Sequence, residues 1–326
     1  IVGGILRNLG TNARAGRGRH FVVEADEYDR TFLGLRPDIA VVTNIEMDHP
    51  DCYRDLDDMT AAFAQYLRLV PANGLIVAGG DSPVVRHLLD ELKAEREAPR
   101  VITYGLEKGN LWQAVHLEPS RWGGLSYDVE ISGNSLGRFT LSIPGNHNVA
   151  NALAAMAVVN SLGVGLDAVR DVLRDFRGVR RRFEHKGTVG ERIIVDDYAH
   201  HPTEIRATLA AARQVYPDKP IWAVFQPHTY SRTLALMDDF ANSFADADHV
   251  IVTDIYAARE RDTLGISAEQ LVERMKSHPD ARHIASLDDV VDWLIHRMEP
   301  NALLITLGAG DGYRVGENVL TRLRSE

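Results

Sequence analysis

Short apolar runs alternate with longer amphipathic segments along the 326 residues of the chain. Apolar runs bounded by turn residues predict buried strands, whereas apolar positions that recur with helical spacing predict helices. The predicted strands are 21–23, 39–43, 75–78, 127–131, 139–143, 192–195, 221–225, 250–253 and 303–306. The predicted helices are 57–69, 83 to about 96, 148–159, 166–176, 202–215, 234–244, 268–275 and 287–297. Strands that alternate with helices in this way indicate an α/β fold.

A change of pattern near Gly178 divides the chain into two predicted domains. Arg180-Arg181-Arg182 is a polar hinge candidate, and a regular strand–helix repeat follows it. Such a repeat predicts a mostly parallel, doubly wound sheet with right-handed crossovers. We therefore place the boundary near Arg180, with domains at 1–179 and 180–326. Within the first domain, Ser132-Gly133-Asn134-Ser135 separates two apolar runs and predicts a hairpin.

Composition narrows the possible partners. Lys and Arg number 36 against 46 Asp and Glu, which gives a formal net charge of -10. No basic stripe interrupts this acidic balance, so nucleic acid is not an expected partner. Cys52 is the one cysteine, which excludes an internal disulfide and favours a reducing compartment, the cytoplasm. No apolar run is long enough for membrane insertion.

The start of the sequence predicts that more chain precedes it. Ile1-Val2-Gly3-Gly4 has no initiator methionine and no charged-then-apolar signal pattern. We expect this start to be a cut within a longer protein.

Two acidic motifs follow predicted strands in the first domain. The predicted strand 21–23 is followed by Glu24-Ala25-Asp26-Glu27-Tyr28-Asp29. The predicted strand 39–43 leads into Thr43-Asn44-Ile45-Glu46-Met47-Asp48-His49. Either motif alone also fits a solvated loop. Together, at the ends of neighbouring parallel strands, they predict a hard-cation site that suits Mg²⁺.

Amide groups precede the Ala-rich helix of the first domain. Pro144-Gly145-Asn146-His147-Asn148-Val149-Ala150-Asn151 lies between a strand and this helix. Asn148 has two interpretations: it caps the helix, or its amide recognises a nucleotide base beside the tight Gly145 turn.

Titratable groups cluster after three strands of the second domain. Asp196-Asp197-Tyr198-Ala199-His200-His201-Pro202-Thr203-Glu204 forms a strand-to-helix turn, and Gln226-Pro227-His228-Thr229-Tyr230-Ser231-Arg232 follows the next strand. Gly308-Ala309-Gly310-Asp311-Gly312 follows the last strand. The carboxyl ends of parallel strands meet at one sheet edge, so we expect these motifs to share a site.

These motifs resemble a known family. The stretches EADEYD, TNIEMDH, GNHNVANALAA, RRFE, DDYAHHPTE, FQPHTYSRT and GAGD are similar to those of the Mur ligases of peptidoglycan synthesis. DDYAHHPTE followed by FQPHTYSR resembles the branch that adds L-alanine to UDP-N-acetylmuramate. The resemblance implies a partial P-loop-type ATPase central domain followed by a Rossmann-like C-terminal domain. It also implies ATP and Mg²⁺ as cofactors.

The chain departs from the family at one motif. No Gly-x-x-x-x-Gly-Lys-Ser/Thr sequence occurs in it, whereas the family carries GTHGKT in the middle domain. We therefore expect the N-terminal domain and phosphate loop to be missing and the chain alone to be inactive. The 57–69 helix has no lysine, and the alanine-adding branch is similar in lacking a carbamylated lysine there.

The resemblance also implies roles for individual residues. It implies that magnesium is bound by Glu24 and His49 and that adenine is contacted by Asn148 and Asn151. It also implies that the ribose is held by Asp196 or Asp197 and that the phosphates face Arg181 or Arg182. The amino-acid pocket is assigned His200, His201, His228 and Arg232, and Thr11-Asn12-Ala13 is assigned to the sugar substrate. Arg259 follows the neighbouring strand and is a further candidate for the alanine carboxylate, with surface pairing to Glu260 or Asp262 as the alternative.

Three other functions remain open from the sequence. The first is the tripeptide-recycling Mur ligase, which has a related HHPT stretch. The second is a metal-dependent hydrolase that uses Asp48, His49, His200 and His201, and it predicts tight zinc without nucleotide. The third is a non-catalytic fragment that only binds nucleotide or substrate.

Overall fold

The computed structural model describes residues 1–95, 99–121, 123–262 and 264–325. The chain forms two compact units. The first contains Ile1–Gly3 and Thr11–Arg177, and the second contains Gly4–Gly10 and Gly178–Glu326. Within the described ranges, no helix has the length and apolar character needed to cross a membrane.

A six-stranded sheet forms the centre of the first unit, with its strands in chain order. The first four strands pair in parallel, and the last three form an antiparallel meander. The predicted hairpin is confirmed, and its turn residues Ser132 and Gly133 both have positive φ, as a tight two-residue connection requires. The strands are β1 (Ile39–Val42), β2 (Leu75–Gly79), β3 (Arg100–Gly105), β4 (Trp112–Pro119), β5 (Leu125–Ile131) and β6 (Asn134–Leu141).

Among the described residues of the first unit, four α-helices and one 3₁₀ segment flank this sheet. Asp55 caps the first α-helix by accepting a hydrogen bond from the backbone N–H of Asp58, and Met59, Tyr66 and Leu67 bury its apolar face. The predicted helices at these positions are confirmed, although Arg96 lies outside the described residues. The helices are α1 (Leu56–Arg68), α2 (Pro83–Glu95), α3 (Asn146–Ser161) and α4 (Leu166–Asp175), with the 3₁₀ segment at Tyr28–Gly34.

The predicted strand at 21–23 is wrong. Phe21 and Val22 are 74% and 75% exposed, and the segment joins neither sheet. The backbone around this segment instead forms hydrogen bonds with the start of the chain. The Ile1 amino group donates to the carbonyl of Val22, and the N–H of Glu24 donates to the carbonyl of Ile1. An apolar run becomes a buried strand only where a sheet receives it, which local sequence does not reveal.

A second six-stranded sheet forms the centre of the second unit. Its spatial order is β11-β10-β9-β12-β8-β7, and all pairs are parallel except the antiparallel β7–β8 pair. The crossover from β8 to β9 passes over β12, so the doubly wound topology is confirmed and a switch point lies at these strands. The strands are β7 (Glu184–Val189), β8 (Arg192–Asp197), β9 (Ile221–Phe225), β10 (His249–Val252), β11 (Ala281–His283) and β12 (Leu303–Leu307).

The helices of the second unit differ from the prediction in two places, since one predicted helix is divided and the helix Tyr313–Leu323 was not predicted. The predicted helix 234–244 is two shorter helices, because Leu236 has φ −114° and ψ 22° and leaves the helical conformation between them. The helices are α5 (Pro202–Val215), α6 (Tyr230–Ala235), α7 (Met237–Ala241), α8 (Ala268–Arg274), α9 (Leu287–Arg297) and α10 (Tyr313–Leu323).

The division between the units lies close to the predicted boundary at Arg180. One segment differs from the prediction, since Gly4–Gly10 belongs to the second unit rather than the first. Leu6 forms an antiparallel bridge with Val179, and backbone hydrogen bonds on both sides of it hold this segment to the start of the second unit.

Candidate functional site

The imidazole of His49 lies beside carboxylates in the first unit. Its Nε2 is 3.0 Å from Oε1 of Glu27 and 3.7 Å from Oδ2 of Asp48. The hydrogen bond from His49 is the main cause that lowers the pKa of Glu27 below its usual value, in spite of the opposing effect of burial. The Tyr53 hydroxyl donates to the Glu27 carbonyl at 2.6 Å. Glu27, His49 and Tyr53 therefore form one bonded cluster.

Glu24 does not occupy the position that the sequence predicted for it. It follows no strand, and its Oε2 accepts a 2.6 Å hydrogen bond from the backbone N–H of Gly3. The predicted convergence of two strand ends fails because 21–23 is not in the sheet. Across the described residues, no three His, Cys, Asp or Glu side chains are placed to hold a metal ion. Magnesium binding by the pair Glu24 and His49 stays a prediction.

The zinc hydrolase interpretation meets the same difficulty. A catalytic zinc site needs three protein ligands around an open position, and the described part of the chain contains no such group of side chains. Asp48 and His49 belong to the first unit, whereas His200 and His201 belong to the second.

The amides of Asn148 and Asn151 lie in the first turns of α3. Gly145, with φ 97°, occupies the N-cap position, so the interpretation of Asn148 as the cap is wrong. The side-chain amide of Asn148 donates to the carbonyl of Pro144 at 2.7 Å. Asn151 is exposed three residues further on, and residues at this spacing lie on one helix face. This face near the helix N-terminus is where we expected a base to bind.

Thr11 and Asn12 lie in an irregular segment of the first unit. The hydroxyl of Thr11 accepts a hydrogen bond from the N–H of Ala13, and the carbonyl of Asn12 accepts one from Val2. Asn12 is exposed. Their predicted contact with a sugar substrate stays a prediction.

Asp196 and Arg181 form the buried ion pair of the second unit. The Nε of Arg181 lies 3.0 Å from Oδ2 of Asp196, whose side chain is 2% exposed. The Thr306 hydroxyl donates to the other carboxylate oxygen at 2.7 Å. Burial raises the pKa of Asp196, although Arg181 opposes this effect. Arg181 also donates to the carbonyls of Gly308 and Gly310, which ties the β8 end to the turn after β12.

Asp197 bonds to backbone groups. Its carboxylate accepts hydrogen bonds from the N–H groups of Phe183 at 2.7 Å and Ala199 at 2.8 Å. Burial raises its pKa to about 6. Arg182, in contrast, is 48% exposed and pairs with Glu204 at 3.1 Å. Of the two arginines predicted to face phosphates, Arg182 is therefore the more accessible.

Two adjacent histidines begin α5 with different roles. His201 is the N-cap residue, and its Nδ1 accepts a hydrogen bond from the N–H of Thr203 at 3.3 Å. Nδ1 of His200 lies 3.0 Å from the Tyr198 carbonyl oxygen and 3.3 Å from Oε2 of Glu204. Glu204 also accepts hydrogen bonds from the backbone N–H groups of both histidines. One carboxylate thus closes the cap and contacts the His200 ring.

His228 lies beside His200, with ring centroids 5.9 Å apart in an edge-on arrangement. The buried guanidinium of Arg232 donates to Nδ1 of His228 at 3.1 Å and to its carbonyl at 3.0 Å. Tyr256 stacks on the ring with centroids 5.8 Å apart. Burial, followed by the positive charges of His200, Arg232 and Arg259, lowers the pKa of His228 to about 4. His228 is therefore neutral at physiological pH.

The glycine-rich turn after β12 packs on the same groups. The side-chain oxygen of Gln226 accepts from the N–H of Gly312, and its nitrogen donates to Asp311. A Cβ atom at Gly310 would lie 2.7 Å from the Tyr256 ring and would also strike Gln226. The three motifs after β8, β9 and β12 therefore meet at one edge of the sheet, as the sequence predicted.

Comparisons with known proteins agree with this geometry. Residues 6–159 match the Mur ligase middle domain, and residues 181–310 match the Mur ligase, glutamate ligase domain. A UDP-N-acetylmuramate--L-alanine ligase of Caldanaerobacter subterraneus subsp. tengcongensis is 44% identical over 321 residues, which cover 98% of this chain and 68% of that protein. The chain belongs to the Mur ligase family.

Solved Mur ligases share the fold. The UDP-N-acetylmuramate-alanine ligase MurC of Thermotoga maritima matches with a TM-score of 0.79 at 28% identity, over 99% of this chain and 68% of that one. The murein peptide ligase mpl of Psychrobacter arcticus matches with a TM-score of 0.66 at 25% identity, over 96% and 66% of the two chains.

Sequence reasoning on this Mur ligase missed three contacts. Glu27 rather than Glu24 contacts His49, Tyr256 stacks on His228, and Gln226 supports the glycine-rich turn. Glu27 and Gln226 stood in motifs that the sequence analysis had singled out, whereas Tyr256 precedes the candidate Arg259 by three residues. Their roles depend on side-chain direction across neighbouring strands, which the motifs alone do not specify.

Proposed function

We propose that this Mur ligase chain carries the ATP-binding and amino-acid-binding parts of an enzyme that joins L-alanine to UDP-N-acetylmuramate in peptidoglycan synthesis. One observation supports the proposal most strongly: His200, His228 and Arg232, with the charge of Arg259 nearby, converge at one sheet edge. Imidazole and guanidinium groups suit a small zwitterion with one carboxylate and one amine. The identity to a relative named as an alanine ligase adds to this support.

The proposed reaction forms an amide through an acyl phosphate. The lactyl carboxylate of the sugar attacks the γ-phosphate of ATP, and ADP leaves with the oxygen of the broken phosphoanhydride bond. The alanine amine then attacks the carbonyl of the acyl phosphate and displaces phosphate. Positioning and charge neutralisation dominate such a phosphoryl transfer. The family resemblance alone supports Glu24 and His49 as magnesium ligands, so we derive no step through the metal.

We propose roles for the other predicted site residues according to how exposed and how hydrogen-bonded their side chains are. Asn148 and Asn151 would approach the adenine from the first turns of α3, and Arg182 would face the phosphates. Each carboxylate oxygen of Asp196 and Asp197 already accepts a hydrogen bond, from Arg181, from Thr306 or from a backbone N–H group. A carboxylate oxygen has two lone pairs, so a ribose hydroxyl would share one of these oxygens with its present donor. The role of Thr11 and Asn12 at the sugar rests on the resemblance.

A chimera tests the function directly. It adds to this chain the part of the Caldanaerobacter relative that the chain does not cover. We expect phosphate release from ATP that requires both UDP-N-acetylmuramate and L-alanine, with the ligated product detected by mass spectrometry. Turnover with the L-alanyl tripeptide but not with L-alanine would instead identify the tripeptide-recycling ligase. Binding of ATP without turnover on either substrate would leave only a non-catalytic binding function.

Arg259 is the proposed second anchor of the alanine carboxylate. It follows β10, and its positive charge lowers the pKa of His228, so it acts on the same group as Arg232. In the chimera, Arg259→Ala is expected to raise the KM for L-alanine about tenfold, which corresponds to about 1.4 kcal/mol of lost binding. The KM values for ATP and the sugar should change little.

Arg261→Ala is the matched control, because it removes an exposed arginine two residues away. We expect it to leave all three KM values unchanged. An alanine KM that is the same in the Arg259→Ala chimera would assign Arg259 to surface pairing and leave Arg232 as the anchor.

A further inference from the structure

The hydrogen bonds of His200 determine which ring nitrogen carries its proton. Nδ1 lies 3.0 Å from the carbonyl oxygen of Tyr198. A carbonyl oxygen only accepts, so Nδ1 is the protonated nitrogen and donates to it. The carboxylate of Glu204, 3.3 Å from the same nitrogen, favours the same assignment. In the neutral ring, Nε2 therefore carries the lone pair that accepts a proton.

The two other histidines of this edge have the opposite tautomer. A guanidinium only donates, so the 3.1 Å contact from Arg232 makes Nδ1 of His228 an acceptor and places its proton on Nε2. The backbone N–H of Thr203 imposes the same arrangement on His201, whose Nδ1 accepts at 3.3 Å. Among these three histidines, His200 is thus the one whose Nε2 can accept a proton.

The charged groups around the rings of His200 and His228 also favour His200 as the proton acceptor. His200 faces the carboxylate of Glu204, which in turn pairs with Arg182 at 3.1 Å, and the ring edge of Tyr198. His228 faces Arg232 and the charge of Arg259, with Glu260 as an opposing negative charge. A proton gained by His200 is stabilised by an adjacent carboxylate, whereas a proton gained by His228 meets arginine charges.

We propose that His200 and His228 read the two ends of the incoming amino acid: Nε2 of His200 accepts a proton from the ammonium group, and Nε2–H of His228 donates to the carboxylate. The proposal rests on the proposed ligase function and adds the residue that activates the nucleophile. Glu204 and the Tyr198 carbonyl are positioning groups, because both lie against Nδ1 of His200 and orient its ring.

The proposed step transfers one proton from the alanine ammonium group to His200 before the amide bond forms. The N–H bond of the alanine ammonium breaks, and its electron pair stays on nitrogen as the lone pair of the amine. The proton forms a bond with Nε2 of His200, which becomes an imidazolium beside Glu204. The amine lone pair then attacks the acyl phosphate carbonyl, and the carbon–oxygen bond to phosphate breaks. Phosphate leaves with the electron pair of that bond and takes the second proton that the nitrogen loses as it becomes the amide nitrogen.

Nitrogen NMR tests the tautomers without any catalysis. In the 326-residue chain labelled with ¹⁵N-histidine, two-bond correlations at neutral pH distinguish the Nδ1–H from the Nε2–H form. We expect Nδ1–H for His200 and Nε2–H for His228 and His201, with assignment by single substitutions. An Nε2–H tautomer at His200 would overturn the proposal, whether or not the protein is a ligase.

Kinetics of the chimera test the proton transfer. His200→Asn keeps a donor near the Nδ1 position, so the cap region stays bonded, but it has no base at the Nε2 position. We expect kcat at pH 7 to fall by about 10²–10⁴-fold. The loss should shrink as the pH rises, because the free amine then becomes available from solution.

His228→Ala is the matched control, because it removes the proposed donor to the carboxylate and leaves the His200 ring in place. It should raise the KM for alanine with a pH profile of kcat like that of the parent chimera. Glu204→Gln, which can still close the cap, should lower kcat, because the imidazolium formed at His200 loses the adjacent carboxylate. A pH-independent loss in His200→Asn would refute the proton-acceptor role, whereas an inactive parent chimera would refute the ligase function and leave the tautomer result standing.

Discussion

Replacement of Arg181 by alanine is expected to lower the free energy of unfolding of the second unit by about 3 kcal/mol. Loss of one partner of a buried ion pair costs about 3–5 kcal/mol, because the other charge stays buried without compensation. Asp196 is 2% exposed and would keep only the hydroxyl of Thr306. Arg181 itself is 25% exposed, so we expect the lower end of this range.

The adjacent residue supplies the control. Arg182 pairs with Glu204, and both side chains are at least one third exposed, so Arg182→Ala should cost about 0–1 kcal/mol. Urea unfolding of the two variants, followed by tryptophan fluorescence and by circular dichroism, measures the difference. Equal midpoints for the two variants would show that the Arg181–Asp196 pair does not stabilise the unit.

The 326-residue polypeptide on its own is expected to show no measurable ligase turnover, at least about 10³-fold below the chimera. No Gly-x-x-x-x-Gly-Lys-Ser/Thr motif occurs in it, and the backbone N–H groups and lysine of such a loop hold the β- and γ-phosphates. Removal of even one donor that stabilises a transition state costs about 10²–10³-fold in kcat.

The assay compares phosphate release by equal concentrations of chain and chimera with ATP, UDP-N-acetylmuramate and L-alanine. Circular dichroism of the chain shows whether it is folded, so that inactivity can be attributed to the missing phosphate contacts. Substrate-dependent phosphate release by the chain alone, within tenfold of the chimera, would contradict the prediction and would require another phosphate-binding group within these residues.

The sequence predicted the second unit better than the first. The helices at Pro202–Val215 and Leu287–Arg297 and the strand at Ile221–Phe225 were predicted with the bounds that the structure has. Each has a strong periodic pattern, and Pro202 and Ser286 mark the starts of the two helices. The convergence of the motifs after β8, β9 and β12 followed from one topological rule about parallel sheets.

Features that depend on long-range partners were missed. β11 has only three residues, and its position is set by pairing with β10 rather than by its own pattern. The 21–23 run is as apolar as a core strand, yet it joins neither sheet and its side chains are exposed. A motif names the titratable groups of a site, but the tautomers of His200 and His228 depend on Tyr198 and Arg232.

Gly310 limits how this edge of the sheet can be redesigned. The Tyr256 ring rests directly against the backbone of Gly310, where a methyl group would lie 2.7 Å from the ring. Tyr256 in turn holds one face of His228. A smaller side chain at Tyr256, which is 39% exposed, could therefore make room for a larger amino acid without moving the backbone of the turn. A substitution at Gly310 would instead displace the Tyr256 ring and, with it, the His228 ring. Gly310 and Tyr256 would therefore have to be changed together in any redesign.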